Sequence, residues 1–325
     1  MIVSIICASN KTHLSHCSGD GHALPLCLTI GNIRKDIRHT SKKRAWILLS
    51  LIPFPPKGAK NIDEAWHSAV GTVLSQFSHL DNTCPGLKCD CADGFQRHCY
   101  PLLAVRVGEY PDQVMVAQVW YGLFPMCKIP KGAPMGHSTF QPIDNSSDQH
   151  IYSELLEDNN IDALRTLGVP PIRNQIWQFT LCKVYRLWQP DELHQPLLGF
   201  VKYLLHWLLK YLKVRQAKDQ SENWFTSVPQ YPGLQHFSKP FDSFISSTWP
   251  GKEICGMIRT LAVNCTPILV CSKDDGKRVG ETASNEMVIG AVQVLCKFSL
   301  HVSQQNHSDL SLKALDNALK RFYQK

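Results

Sequence analysis

The stretch IVSIICASNK at residues 2–11 sets the expectation for the fold. Its first seven residues are apolar except for Ser4, and the polar pair Asn10 and Lys11 follows closely. A short apolar run that ends at polar residues is typical of a buried strand. The run has no basic segment before it and is too short for a secretion signal. We therefore expect a chain that opens with a strand and is not secreted.

Similar runs farther along the chain extend this pattern. We predict strands at residues 2–8, 23–30, 45–54 and 114–120, a strand or helix at 102–107, and an amphipathic helix at 63–77. From about residue 150 the apolar spacing is mostly helical, which predicts helices at 151–157, 161–167, 193–214, 253–263, 286–302 and 310–323. Strands first and helices afterwards indicate an α/β or α+β core with a helical extension. We divide the chain into a strand-rich part (1–127), a Pro/Gly/Ser-rich linker (128–148) and a mainly helical part (149–325).

The composition excludes several classes of protein. The 325 residues are 44% hydrophobic and 19% charged, which is unlike a disordered chain, a collagen or a coiled coil. The 13 cysteines are an odd number and too sparse for a small disulfide scaffold, so we expect reduced thiols and a nuclear or cytoplasmic protein. In residues 197–212, Lys202, His206 and Lys210 share one helical face, which favours a core helix and gives no reason to expect a membrane partner.

The net charge of +7 is compatible with nucleic-acid binding. Basic residues are concentrated between the second and third predicted strands, at Arg34, Lys35, Arg38, Lys42 and Lys43. Such a cluster is either a solvated turn or a set of phosphate contacts. We retain these five residues as candidate DNA-binding residues.

A group of cysteines offers a structural alternative. Cys84, Cys89 and Cys91 are followed by His98 and Cys99, and thiolates and imidazoles at close spacing can hold a structural zinc ion. The spacing contains no C-x2-C pair, so reduced and partly buried cysteines are the better explanation. Zinc therefore stays a possible but unfavoured cofactor.

Acidic residues near the ends of the apolar runs are candidates for metal-assisted chemistry. They are Asp20, Asp93, Glu109, Asp112, Asp191 and Glu253. Carboxylates at strand ends can hold two divalent cations for phosphoryl transfer, although most such acids are surface groups. Asp191 precedes a predicted helix, where it is either the N-cap or one half of an Asp-x2-His pair with His194.

The chain resembles one family in six blocks of sequence. In order, they are CASNKTHLSHCSGDGHALPLCLTIGNIRKDIR (7–38), CADGFQRHCYPLLA (91–104), EYPDQVMVAQ (109–118), LWQPDELHQPLLGFVK (187–202), PGLQHFSKPF (232–241) and TWPGKEICGM (248–257). It is the Plavaka transposases, a fungal branch of the CACTA-type DNA transposons. The resemblance runs from about residue 2 to residue 322.

This resemblance implies an RNase H-like mixed-sheet core with a helical insertion. It also implies DNA as the partner, self-association as in other transposases, and Mg²⁺ or Mn²⁺ held by acids for DNA cleavage and strand transfer. Laid on this chain, the family's first acid corresponds to Asn10, in Ser9-Asn10-Lys11-Thr12, and its second to Glu109. The Asp-x2-His motif is Asp191 and His194, and the third acid is Glu253.

Three positions depart from the family pattern. Asn10 offers a neutral oxygen where the family has Asp, and Glu109 is longer by one methylene than the usual Asp. Phe124 replaces the first cysteine of a Cys-Pro-x-Cys pair, so Cys127 lacks the partner that the pattern provides. Family members also carry a long segment before this region, which predicts a truncated copy.

We therefore expect a catalytically impaired, transposase-derived remnant in which Asn10, Glu109, Asp191, His194 and Glu253 mark the former active site and Glu109 and Glu253 the metal ligands. The alternative is a zinc-stabilised DNA- or protein-binding module without enzymatic activity.

Overall fold

The computed structural model describes residues 1–13, 21–53, 61–82, 86–128, 141–179, 181–188, 191, 193–229, 232, 251–271, 284–304 and 306–323. These residues form two compact units, Met1–Gln189 and Pro190–Lys325. Each unit has its own buried apolar clusters. The predicted division at residues 127 and 148 stays a prediction.

The first unit is built on a mixed sheet. Its strands are β1 (Ile2–Ser9), β2 (Thr12–His13), β3 (His22–Ile30), β4 (Ile47–Pro53), β5 (Leu87–Asp90) and β6 (Gln96–Val107). β3 pairs antiparallel with β1, with β4 and with the short β2, and β6 pairs parallel with β1 and antiparallel with β5. A parallel bridge between Arg106 and Trp188 extends the sheet beyond β6. The predicted strands at 2–8, 23–30 and 45–54 are confirmed, and 102–107 is a strand.

Helix α2 (Ile62–Asn82) connects the antiparallel strands to the parallel part of the sheet and confirms the helix predicted at 63–77. Its residues Trp66, Val70 and Leu74 recur every four positions and are all buried. They pack in one cluster with Ile5 and Leu26 of the sheet. Because one helix face covers one face of the sheet, the alternation of buried residues along the strands follows from this packing.

The strand predicted at residues 114–120 is wrong. The chain there forms helix α3 (Tyr110–Ala117), which begins with Pro111 near its N-terminus and ends at Gln118 in the left-handed conformation. Five of its eight residues are buried, so its apolar residues show no clear one-sided spacing. In sequence, a helix that is buried on almost all sides resembles a buried strand, because both are short runs of apolar residues. The spacing of the apolar residues therefore could not distinguish the two.

The other regular elements in the described part of the first unit are helical. They are the one-turn α1 (Lys35–Arg38), α4 (Ser147–Glu157), α5 (Ile161–Leu167) and 3₁₀ turns at Ser41–Lys43, Gln175–Gln178 and Val184–Arg186. Buried residues of α3, α4 and α5 share a second cluster with Val169 and Tyr185. The helices predicted at 151–157 and 161–167 are confirmed.

The regular elements among the described residues of the second unit are all helices. They are a π-helix (Leu193–Val201), α6 (Lys202–Val214), α7 (Lys218–Thr226), α8 (Gly251–Cys271), α9 (Asn285–Val302) and α10 (Asp309–Tyr323). All the predicted C-terminal helices are confirmed, and α7 is a further helix that the spacing of apolar residues does not predict. Their core includes Leu205, Leu208, Met257, Leu261 and Val292, each at most 1% exposed.

One helical window in the described residues, Glu253–Val270, is long and apolar enough to cross a membrane by length and composition. Its mean hydropathy is 1.3, and half of it is buried inside the structure. Core helices of globular proteins pass the same test, so the window is weak support for a membrane span.

Candidate active site

The candidate site lies where two neighbouring parallel strands end. Ala8 of β1 is paired with Val107 of β6, and Asn10 and Glu109 each follow two residues later. Because parallel strands end at the same edge of a sheet, the register brings these two sequence-predicted residues to one edge. Asn10 is exposed, whereas Glu109 is partly buried and precedes the first turn of α3.

A buried polar network lies directly beneath this edge. The Ser9 hydroxyl contacts both carboxylate oxygens of Asp112 at 2.7 Å, and Arg106 Nη2 donates to Ser9 Oγ at 2.6 Å. Arg106 Nη2 also lies 3.4 Å from Asp112 Oδ2. The Arg106 and Asp112 side chains are only 1% and 6% exposed. The network therefore links β1, β6 and α3 immediately beside Asn10 and Glu109.

A bulge explains why an arginine faces the interior. Ile5 pairs with Leu103 and Ile6 pairs with Val105, so Ala104 is an extra residue in β6. Such an insertion reverses the alternation of side chains beyond it. Consequently Arg106, rather than Val105, shares the buried face with Leu103.

Two aromatic residues of α2 complete the surroundings of Arg106. Its guanidinium carbon lies 5.3 Å from the centre of the Trp66 ring, a distance suited to a cation–π contact. The neighbouring His67 uses Nε2 to donate to the Met115 carbonyl at 3.0 Å. Burial, opposed by that hydrogen bond and reinforced by the charge of Arg106, lowers the pKa of His67 to about 4. His67 is therefore neutral at physiological pH.

The charge of Asp112 is held between two opposing effects. Burial raises the pKa of its carboxyl group, while Arg106 and the Ser9 hydroxyl act in the opposite direction. The nearby Glu109 adds to the increase in pKa. Because both oxygens of Asp112 already contact Ser9, this carboxylate serves the network and is not simply an exposed ligand.

Gly108 permits the close approach of this carboxylate to the backbone. A Cβ atom at residue 108 would lie 2.1 Å from Asp112 Oδ2 and 3.2 Å from Asp112 Cβ. The position between the end of β6 and Glu109 is thus restricted to glycine by the network itself.

The second unit carries the Asp-x2-His pair. Asp191 Oδ1 accepts a hydrogen bond from the backbone N–H of His194 at 3.1 Å, and Oδ2 accepts from His194 Nδ1 at 2.6 Å. Asp191 is therefore both a helix cap and the partner that orients His194. The two roles that the sequence offered as alternatives are both present. The carboxylate fixes the proton of the imidazole on Nδ1.

Glu253 also belongs to the second unit. It lies in the first turn of α8 and is partly buried. Asp20, another acid from the sequence, lies outside the described residues. Asp93 forms an exposed ion pair with Arg97 at 2.6 Å on the β5–β6 hairpin, and that partner lowers its pKa to about 2.

The predicted DNA-binding residues lie at the other end of the sheet from Asn10. They occupy the connection from β3 to β4. This connection begins near the start of β1, because β3 runs antiparallel to β1 and the Gly31 N–H, just after β3, donates to the Ser4 carbonyl at 2.6 Å. Arg34, Lys35, Lys42 and Lys43 are exposed, and Arg38 is partly buried.

The cysteines do not form a metal cluster in the part of the chain that the structure describes. No group of three or more His, Cys, Asp or Glu residues there could hold a metal ion. Cys89, Cys91 and Cys99 lie on or beside the β5–β6 hairpin as free thiols, and Cys84 lies outside the described residues. Cys127 is a free thiol whose pKa is raised by burial.

The donor set at the shared sheet edge is also poor for metals. Glu109 supplies one carboxylate and Asn10 a neutral amide, while Asp112 is engaged by Ser9 and Arg106. Two divalent cations require several hard, charged oxygen ligands. The first unit alone therefore does not fit a two-metal centre.

Sequence reasoning overlooked Ser9 and Arg106. The only available signal for Arg106 was a basic residue inside an apolar run, LLAVRV at 102–107. A buried arginine in a strand requires a buried acid, so Asp112 was the partner to look for.

Comparison with known proteins assigns the sequence to a family. No curated protein and no solved structure matches the chain. The sequence model of the family described as Plavaka transposase matches residues 1–208, which include Asn10, the whole network, Glu109, Asp191 and His194. Membership suggests that the ancestral activity used DNA and a divalent metal. The chain belongs to the Plavaka transposase family.

Proposed function

We propose that this protein is a transposase-derived DNA-binding protein whose phosphoryl-transfer site is impaired. The observation that carries the proposal is the pairing of β1 with β6, which places neutral Asn10 beside Glu109 at one sheet edge. A neutral amide binds a hard divalent cation more weakly than a carboxylate does. In this proposal the edge has one carboxylate, that of Glu109, where the family pattern has two.

The sheet topology supports the RNase H-like core that the resemblance implies. β1, β3 and β4 form an antiparallel series, α2 crosses over, and β6 returns parallel to β1. In the second unit, the contact between Asp191 and His194 supports the proposal that His194 is an active-site residue, because the Asp191 carboxylate orients its ring. Glu253 remains the proposed third acid.

DNA binding is proposed to rest on the basic segment between β3 and β4. The basic segment begins near Ser4, where β3 ends. The distance along β1 from Ser4 to Asn10 is roughly 20 Å, at about 3.3 Å per residue. That distance corresponds to about six base pairs of duplex. A single duplex can therefore contact the basic segment and the sheet edge together.

Binding is tested with a fluorescent 20-base-pair duplex titrated at several salt concentrations. We expect Lys42→Gln/Lys43→Gln to weaken binding and to reduce the salt slope by up to about 2, because each lost phosphate contact contributes about 0.9. Lys297→Gln/Lys313→Gln, which changes the same net charge on exposed residues of the second unit, is the matched control. Equal effects of the two double variants, or an affinity independent of salt, would refute the proposed contacts.

Impairment is tested by nicking of supercoiled plasmid with Mg²⁺ or Mn²⁺ and by calorimetric titration of Mn²⁺. We expect no nicking by the natural sequence and tighter Mn²⁺ binding by Asn10→Asp than by the control Asn223→Asp, which adds a carboxylate to an exposed helix position. Clear nicking by the natural sequence that Glu109→Gln or Glu253→Ala abolishes would show that the site is active.

A further inference from the structure

A groove with a cavity volume of about 810 Å³ lies in the first unit, lined by the segment that follows α3 and by residues of α4 and α5. Three aromatic side chains on its wall are exposed: Trp120 at 46%, Tyr121 at 70% and Phe124 at 37%. The candidate site uses none of the three. Large aromatic residues that face solvent side by side commonly mark a binding surface.

The aromatic wall is attached to the candidate site through Tyr110, the residue after Glu109. The Tyr110 hydroxyl donates to the Leu123 carbonyl at 2.8 Å and accepts from the Gly122 N–H at 2.9 Å. Its ring meets Tyr121 edge-on, with 5.4 Å between centroids. The segment that carries the exposed aromatic residues is therefore positioned by the first residue of α3.

The charges around the groove favour an anionic occupant. Lys128 and Arg165 line it, and their side chains are 50% and 64% exposed. Among the described lining residues the one acid, Asp148, is 6% exposed and accepts from Lys128 Nζ at 2.6 Å and from the Asp144 N–H at 2.8 Å. Arg165 makes an exposed 3.4 Å contact with Asp162, which a phosphate can replace at little cost.

We propose that this groove binds an unpaired DNA base, which stacks on Trp120 and Tyr121 while the adjoining phosphates contact Arg165 and Lys128. Aromatic faces next to cations are the usual means of holding single-stranded nucleic acid, because every base has a π-face and every linkage a charge. The volume lies within the range of small-ligand sites and accommodates a nucleoside. The inference deepens the proposed function and rests on it, since it names a single strand of DNA as a ligand of the unit that carries Asn10 and Glu109.

The test compares two labelled 12-nucleotide strands: one of thymidines, and one with the same backbone but abasic residues. We expect Trp120→Ala/Tyr121→Ala to weaken binding of the thymidine strand roughly 5- to 100-fold and to leave the abasic strand within about twofold. Arg165→Gln should weaken both strands equally, because it removes a phosphate contact.

Two further variants control for folding and for nonspecific loss of aromatic surface. Tyr121→Leu retains an apolar side chain at a 70% exposed position, so it keeps the fold while removing the aromatic face, and it should reproduce part of the loss. Tyr203→Ala/Trp224→Ala removes exposed aromatic residues from the second unit and should leave the thymidine strand within about twofold. An unchanged affinity of Trp120→Ala/Tyr121→Ala for the thymidine strand, or an equal loss for both strands, would overturn the proposal.

The outcome is separable from that of the proposed function. Duplex binding that depends on Lys42 and Lys43, without any dependence of single-strand binding on Trp120 and Tyr121, refutes the groove alone. Base-dependent single-strand binding without duplex binding supports the groove and refutes the basic segment as a duplex contact.

Discussion

At the scale of single residues, Gly108 is the position where substitution should be most informative. Gly108→Ala places a methyl group 2.1 Å from Asp112 Oδ2, so either the buried network or the end of β6 must shift. We expect a loss of about 1–3 kcal/mol in the free energy of unfolding, measured by urea denaturation. Gly21→Ala is the control, since a Cβ there meets nothing within 4 Å. Equal stability of the two variants would contradict the crowding at residue 108.

His67 should make stability depend on pH. Its folded pKa of about 4 lies below the ordinary 6.5, so the unfolded chain binds a proton between these values while the folded protein does not. The stability contribution of neutral His67 is complete above pH 6.5 and is lost as the pH falls towards 4, on the order of 3 kcal/mol in total.

The measurement is urea denaturation of the natural sequence and of His67→Gln at pH 7.5, 6, 5 and 4. The glutamine amide can still donate to the Met115 carbonyl but does not titrate. Asp112, whose raised pKa has the opposite effect on the pH dependence, is common to both proteins. The natural sequence should lose stability relative to His67→Gln as the pH falls, and parallel pH profiles would disprove this assignment.

The same buried network shows where sequence reasoning fails. Asn10 and Glu109 could be assigned to one site from the sequence because the resemblance identified both. Arg106 could not, because strict alternation from Leu103 predicts Val105 and Val107 on the buried face. One inserted residue, Ala104, reverses that alternation, and the pairing that reveals it lies about a hundred residues away in β1.

At the scale of elements, the ends of α5 are defined by side-chain and backbone contacts. Asn160 Oδ1 accepts from the Ala163 N–H at 3.2 Å, and Gly168 ends the helix with a φ of 77°. Asn160→Ala should reduce the free energy of unfolding by about 1 kcal/mol, whereas Asn160→Ser, which still caps, should be nearly neutral. Thermal denaturation of both variants checks the role of the cap, and identical losses would exclude it.

Elements with one buried face were the most predictable. α2 and the C-terminal helices have clear one-sided spacing, and the opening strands are short apolar runs between polar residues. α3 failed because it is buried on most sides, so the distinction between helix and strand depends on Pro111 and on the packing around it. The Asp191–His194 contact was foreseeable, because an N-cap carboxylate accepts from the backbone N–H three residues later.

At the scale of the whole molecule, the two units have separate apolar cores, and their unfolding should reflect this. Leu26 and Leu208 are both fully buried, one in each unit. Either change to Ala should cost about 2–5 kcal/mol. We expect scanning calorimetry to resolve two transitions, with Leu26→Ala lowering one and Leu208→Ala lowering the other. A single transition shifted equally by both substitutions would contradict this independence.

The parallel pairing of β1 with β6 also has a consequence for biosynthesis. Ile2 leaves the ribosome well before its partner Tyr100, which is made 98 residues later. At about 5–20 residues per second, the first strand waits roughly 5–20 s for its neighbour. During that interval an apolar segment remains without half of its final hydrogen bonds, so nascent chains of this protein should depend on chaperones that shield exposed strands.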